Sequence, residues 1–168
     1  MDILIRPIAA PDVEAVAERM SRHRDLVQAR LELQERGGGH YLIAWKVADP
    51  VGQLVLRWER EVPAPDGLAG IPYIEDVYVP HDHRGEGIGS RLIDAAERCV
   101  AAAGHAQVTL AVNTDNAGAQ RLYRRHGYQD AGLGAHLQPW FHYDRRGQLH
   151  EHQERVLDYV KSVAGSAA

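Results

Sequence analysis

The residues best suited to chemistry lie in His83-Arg84-Gly85-Glu86-Gly87-Ile88-Gly89-Ser90. Three glycines at every second position let a backbone approach a ligand closely with its amides available. An apolar strand pattern precedes the segment and a helical pattern follows it. The amides therefore fall at a helix N-terminus, where the macrodipole favours an anion. Arg84 adds a charge-assisted contact. These types and spacings suit a pyrophosphate, although a ligand-free strand-to-helix turn would use the same glycines. The spacing Gly85-x-Gly87-x-Gly89 is not the dinucleotide fingerprint, and no Gly-Lys-Ser/Thr follows to make a P-loop.

The neighbours of this turn narrow the reading. Arg84-Gly85-Glu86-Gly87-Ile88-Gly89 resembles the R-x-x-G-x-G signature with which the GNAT superfamily of N-acetyltransferases binds the pyrophosphate of acetyl-CoA. Ile74-Glu75-Asp76-Val77-Tyr78-Val79-Pro80 resembles that superfamily's central strand. Asn113-x-x-Asn116-x-x-Ala119-x-x-Leu122-Tyr123-x-x-x-Gly127-Tyr128 resembles its second motif. Within the superfamily the closest look is to the spermidine/spermine N-acetyltransferases, and it fades after Gly132.

The resemblance implies acetyl-CoA as co-substrate, held by Arg84, Gly85, Gly87, Ile88, Gly89 and Ser90. It also implies that Val77, Tyr78 and Val79 lie on a strand that opens from its parallel neighbour and pairs with the pantetheine arm. Asn116 and Ala119 fall where the family contacts the same cofactor. Asn116 equally suits a helix cap, with Asp115 as the other candidate.

Acetyl transfer to an amine poses two proton problems. A lysine-like ammonium with a pKa near 10.4 costs about 4.6 kcal/mol to neutralise at pH 7, at about 1.36 per unit. A base or a water chain must draw that proton away. The departing thiolate then needs a proton, which a phenol can give. The resemblance places Tyr123 at the family's general acid and Glu75 at the glutamate of the polyamine enzymes' central strand, hence the candidate base. Strand alternation puts Glu75, Val77 and Val79 on one face and Ile74, Asp76 and Tyr78 on the other. Asp76 is the alternative base if the strand is rotated or bulged.

Elements to position these residues are legible in the periodicities. Ile3–Ile5 reads as a strand, and Val13, Val16, Ala17 and Met20 form a helical stripe. A second helix over about Asp25–Arg36 stops at Gly37-Gly38-Gly39. Tyr41–Val47 and Leu54–Trp58 read as a hairpin turning at Asp49-Pro50, followed by an exposed loop from Glu61 to Gly70. A strand over Tyr73–Val79 leads through the glycine turn to a helix with Ile88, Leu92, Ala96, Cys99 and Val100 on one face. Val108–Val112 makes a further strand, and a short helix ends at Gly127. Two short strands between Tyr128 and Tyr143 and a closing helix with Leu149, Val156, Leu157, Val160 and Val163 on one side complete the order.

The expected architecture is an α/β (α+β) fold of GNAT type. Its central mixed, mostly antiparallel sheet has a splayed parallel pair of strands and helices on both faces. One domain is expected over residues 1–168, with an acceptor-side half at 1–70, cofactor motifs at 71–132 and a C-terminal strand and helix at 133–168. At 168 residues, 45% hydrophobic and net charge −4, the chain can bury one core and carries no nucleic-acid footprint. A single cysteine, Cys99, permits no intrachain disulfide. No apolar run reaches membrane-spanning length, so a cytoplasmic protein is expected. Only the terminal Gly165-Ser166-Ala167-Ala168 is of low complexity.

Ten histidines include His81-x-His83 and His150-x-His152, but the motif and cysteine content give no metal site, and these read as surface groups. Trp140-Phe141-His142-Tyr143 reads as core or dimer packing, with an acceptor pocket as the alternative. A homodimer is a family expectation. The functional expectation is direct acetyl transfer, in a ternary complex, to a primary amine of a small molecule or peptide. Candidate acceptors are a polyamine, an aminoglycoside, an amino-acid metabolite or a protein amine. The alternatives are an acyl-CoA sensor without catalysis and a transferase of longer acyl chains.

Overall fold

The computed structural model describes residues 2–163; the Gly165–Ala168 tail lies outside the described residues. Eight strands and four α-helices follow in the order β1 (Ile3–Pro7), α1 (Val13–Arg19), α2 (Arg24–Glu35), β2 (Gly39–Lys46), β3 (Asp49–Arg57), β4 (Tyr73–Tyr78), α3 (Ile88–Ala102), β5 (Gln107–Asn113), α4 (Ala117–Arg125), β6 (Gln129–Asp130), β7 (His136–Tyr143) and β8 (Leu149–Ser162). The pairing is mostly antiparallel, with β4 and β5 parallel, as the fold class requires. The chain forms two compact units, residues 2–57 with Glu75–Ala96, and Trp58–Ile74 with residues 97–163.

In the first unit β1, β2 and β3 pair antiparallel, and β4 follows β3. One face is covered by α1 and α2. The stripe Val13, Val16, Ala17 and Met20 is fully buried with Val27 and Leu31 against Tyr41, Ile43, Trp45 and Val55. The opposite face carries Leu54 and Leu56 and receives α3. A Cβ added at Gly52 would stand 2.8 Å from Ile88 and 3.0 Å from Leu92, so the glycine admits that helix. The α2 helix ends in a Schellman motif, Gly37 at φ +79° with Gly38 N–H donating to the Leu33 carbonyl.

In the second unit β5 pairs with β4 over Tyr73↔Thr109 and Ile74↔Leu110, and antiparallel with β8 along its whole length. The other edge of β8 carries β6 and then β7. Glu97, in the second half of α3, joins this sheet by accepting from the Tyr128 hydroxyl at 3.2 Å and by an ion pair with Lys161.

Two expectations are corrected. The closing segment is a strand, not a helix. Leu149, Val156, Leu157, Val160 and Val163 satisfy a helical count, but Val156, Asp158 and Val160 also lie at period two, and pairing to β5 and β7 decides between them. The signal for this hairpin is Asp144-Arg145-Arg146-Gly147. Asp144 Oδ1 accepts the amides of Arg146 and Gln148, and Gly147 takes φ +76°. The early hairpin turns at Val47-Ala48 rather than Asp49-Pro50, since Lys46 pairs with Asp49.

Val47 stands at φ +58° and is 84% exposed, a β-branched residue in the left-handed region with little packing to compensate. Val47→Gly is expected to raise unfolding stability by about 1 kcal/mol. Urea denaturation checks this, and an unchanged or lowered midpoint contradicts it.

Candidate active site

In the first unit β4 leads through a short 3-10 turn (His81–His83) into the glycine turn and α3. Gly85 and Gly87 take φ +81° and +77°, and nothing lies within 4 Å of a Cβ built on either. These glycines are therefore required by backbone conformation and not by crowding, and the turn is open to solvent from Arg84 to Gly87. A helix leaves its first backbone donors without intrahelical acceptors, and Ile88 and Gly89 open α3. Arg84 Nε donates to the Val79 carbonyl at 2.9 Å, which moors the side chain at the end of β4. An exposed cradle of amides at the N-terminus of a 15-residue helix, with a guanidinium beside it, fits a pyrophosphate.

The two carboxylates of β4 depart from simple alternation. Asp76 takes φ +50°, a left-handed residue inside a strand of the kind found in bulges. Its Oδ1 accepts from Arg22 at 2.6 Å, and its Oδ2 accepts from Arg22, Arg30 and Gln53 at 2.9, 2.8 and 2.7 Å. Glu75 pairs instead with Arg57 of β3 through Oε1. The buried Arg30 is in electrostatic reach of both carboxylates. Burial alone would push its guanidinium down, and Asp76, the Tyr41 phenol and Glu75 together push it above its ordinary value. Glu75 and Asp76 thus keep separate ion pairs and share only Arg30 as an electrostatic neighbour.

Burial would raise the Asp76 carboxyl, but the hydrogen bonds and charges of Arg22 and Arg30 outweigh it and hold it at about 2. That makes Asp76 a structural anion and a weak proton acceptor. Glu75, Val77, Tyr78 and Val79 are all half-buried, and Tyr78 lies between the guanidinium groups of Arg22 (4.7 Å) and Arg84 (5.9 Å).

In the second unit α4 carries Tyr123. Asn116 caps this helix, its Oδ1 accepting the Ala119 amide at 3.0 Å, so the cap is realised by Asn116 and not by Asp115. The helix ends in a second Schellman motif. Gly127 takes φ +89°, its amide donates to Arg124, and the Tyr128 amide donates to the Tyr123 carbonyl. The same motif brings the Tyr123 and Tyr128 rings together edge to face, with centroids 6.0 Å apart. The half-buried Tyr123 ring is therefore held by the helix stop itself. Cys99 is half-buried, and burial pushes its thiol up, which makes it a poor nucleophile.

His81 and His83 lie in the 3-10 turn. His150 and His152 lie on β8, and His152 stacks on Trp140 and His142 of β7. The Trp140–Tyr143 cluster thus forms one side of a histidine-rich ribbon.

Sequence reasoning missed the arginines around Asp76. The available signal was Arg30 within the buried α2 stripe of Val27 and Leu31, because a charge in an apolar stripe implies a partner.

Comparisons with known proteins show the family and the fold. Residues 9–128 match the model of the acetyltransferase (GNAT) family, and the chain belongs to that family. A stretch of 58 residues is 41% identical to thialysine N-epsilon-acetyltransferase of Bos taurus, covering 34% of each chain, about a third of that relative's length. The fold is similar to an N-acetyltransferase from Staphylococcus aureus Mu50, with TM-score 0.72 and 16% identity over 97% of this chain and 99% of that one. It is also similar to a putative acetyltransferase from Salmonella typhimurium with its cofactor acetyl-CoA, with TM-score 0.67 and 21% identity over 100% and 98%. Acetyl-CoA is the family's acetyl donor. No helix among the described residues is long and apolar enough to cross a membrane.

The pairing of Asp76 has a measurable consequence. Its carboxyl is lower folded, at about 2, than the ordinary 3.8, so it stabilises the fold above pH 4 by roughly 2 kcal/mol, and this is lost as pH falls toward 2. Asp76→Asn is expected to cost about 3 kcal/mol or more at pH 7, since it strands two arginines. The gap to wild type should shrink as pH falls from about 4 toward 2, as followed by urea unfolding. A gap independent of pH contradicts the assignment.

Proposed function

We propose that this protein transfers the acetyl group of acetyl-CoA to a primary amine of a small molecule or peptide, by direct attack in a ternary complex. The observation that carries the reading is the open glycine turn, Arg84–Ser90, feeding the N-terminus of α3 inside the stretch matched to the acetyltransferase family. Arg84, Gly85, Gly87, Ile88, Gly89 and Ser90 hold the donor's pyrophosphate, and Val77, Tyr78 and Val79 offer strand backbone to its pantetheine arm. The local likeness to a thialysine acetyltransferase favours an acceptor with a side-chain-like amine.

Glu75 draws a proton from the acceptor ammonium at Oε2, since Oε1 is engaged by Arg57. The neutral nitrogen bonds to the acetyl carbon, the C–S bond breaks, and Tyr123 gives its phenolic proton to the sulfur. A base and an acid of this kind contribute about a hundredfold or more each. Asn116 and Ala119 border the donor at the start of α4.

A CoA-release assay across polyamines, aminoglycosides, amino acids and peptides tests the reaction. Glu75→Gln and Tyr123→Phe are each expected to lower kcat about a hundredfold, with acetyl-CoA affinity unchanged. Turnover unaffected in either variant removes that residue from its role. Tight acetyl-CoA binding with no CoA release from any amine would favour a sensor instead.

A further inference from the structure

The first unit holds a carboxylate in the turn that is to receive an anion. Glu86 stands between Gly85 and Gly87, two residues before α3 begins. A carboxylate is drawn to the N-terminus of a helix, where the first amides lack acceptors and the dipole is positive. A glutamate at this position has the reach to turn back on those amides. There it would compete with a pyrophosphate for the same donors and repel it by charge. In the structure it does neither.

The carboxylate is turned the other way. Glu86 Oε2 lies 3.4 Å from Lys46 Nζ and 3.6 Å from His83 Nδ1. Among the described residues no amide of α3 donates to it, and Lys46 is its hydrogen-bond donor. His83 stands three residues before Glu86 in the 3-10 turn, and its Nδ1 is buried and makes no hydrogen bond. Lys46 arrives from far earlier in the chain. It is the last residue of β2, paired with Asp49 across the hairpin turn. Gly52 of that hairpin admits Ile88 and Leu92 of α3, which brings the turn and the ammonium to the same place. The other acid near the turn, Asp82, has its own partner in Arg19 at 3.5 Å. All of these groups belong to the first unit. The Lys46 and Glu86 side chains are 27% and 40% exposed, and a pair this open to water adds little to stability. Its consequence is for a ligand.

We infer that Lys46 is a positioning residue for the donor, holding the Glu86 carboxylate away from the amides that open α3; this rests on the donor site proposed above. With the ammonium in place, the cradle meets the pyrophosphate with its amides free and its one acidic side chain neutralised. Without it, the carboxylate turns to the helix end, and acetyl-CoA must displace an anion already there. Lys46 acts through Glu86, so its effect disappears when Glu86 carries no charge.

The test titrates acetyl-CoA calorimetrically into the whole protein. Lys46→Gln is expected to weaken binding about fivefold, the scale of one unit-charge interaction near a surface. Lys46→Arg, which keeps the charge, should restore most of that loss. Glu86→Gln should bind at least as tightly as the wild type, and adding Lys46→Gln to it should cost nothing further. The loss in Lys46→Gln should also shrink as salt rises, because exposed charges are screened. Wild-type affinity in Lys46→Gln, or the same loss with and without the Glu86 charge, overturns the inference and leaves the donor site standing. A wild type that binds no acetyl-CoA overturns both.

Discussion

One residue in β4 carries much of the first unit's organisation. Asp76 turns its backbone into the left-handed region and places a buried anion between Arg22 and Arg30, with Gln53 completing its hydrogen bonds. Each arginine is enclosed enough that losing the carboxylate would leave a buried charge without its counterion, a far costlier state than an exposed one. Arg22 comes from the α1–α2 connection and Arg30 from α2 itself, so a single side chain ties both helices to the strand. The strand is then held where it runs into Arg84 and the glycines, and α3 follows directly. Asp tolerates the left-handed conformation better than most residues, which keeps the cost of this arrangement modest.

The second unit solves its positioning problem by different means. Tyr123 owes its place to a helix stop, in which Gly127 closes α4 and sets Tyr128 against the Tyr123 ring. Asn116 begins the same helix with its side chain. Both ends of this nine-residue helix are thus specified by local hydrogen bonds, as a short helix needs. On the neighbouring sheet a long strand, β8, supplies Asp158 as the hub of a network that reaches β7, β5 and the start of β4. Tyr123, the proposed acid, thus stands on a helix capped at both ends, and Glu75, the proposed base, on a strand.

The parts legible in the sequence were those written locally. Arg84–Gly89, the α1 stripe and the Asn116–Tyr128 motif each depend on spacings of a few residues, and each stands where the periodicity put it. What was hidden depended on pairing at long range. The conformation of Asp76 follows from arginines 46 and 54 positions earlier, and no local pattern announces it. The last strand carries a misleading helical period because its outer half, His150–Glu154, is polar on both faces of a two-stranded ribbon. Only the apolar residues near its end were left to suggest a period. His136 and Asp158 are 22 residues apart on paired strands, and no local pattern announces their hydrogen bond. The early turn stands two residues before Asp49-Pro50, at Val47, whose side chain gives no hint of a left-handed backbone.

The central claim is that the turn from Arg84 to Ser90 holds acetyl-CoA through backbone geometry that only glycine supplies. Isothermal titration of acetyl-CoA into the wild-type protein and into Gly87→Val tests it directly. The wild type should bind one equivalent, and the variant, forced away from φ +77°, should lose about tenfold or more in affinity, a change of about 1.4 kcal/mol at least. Equal affinity in the two proteins, or no binding by the wild type, would contradict the account.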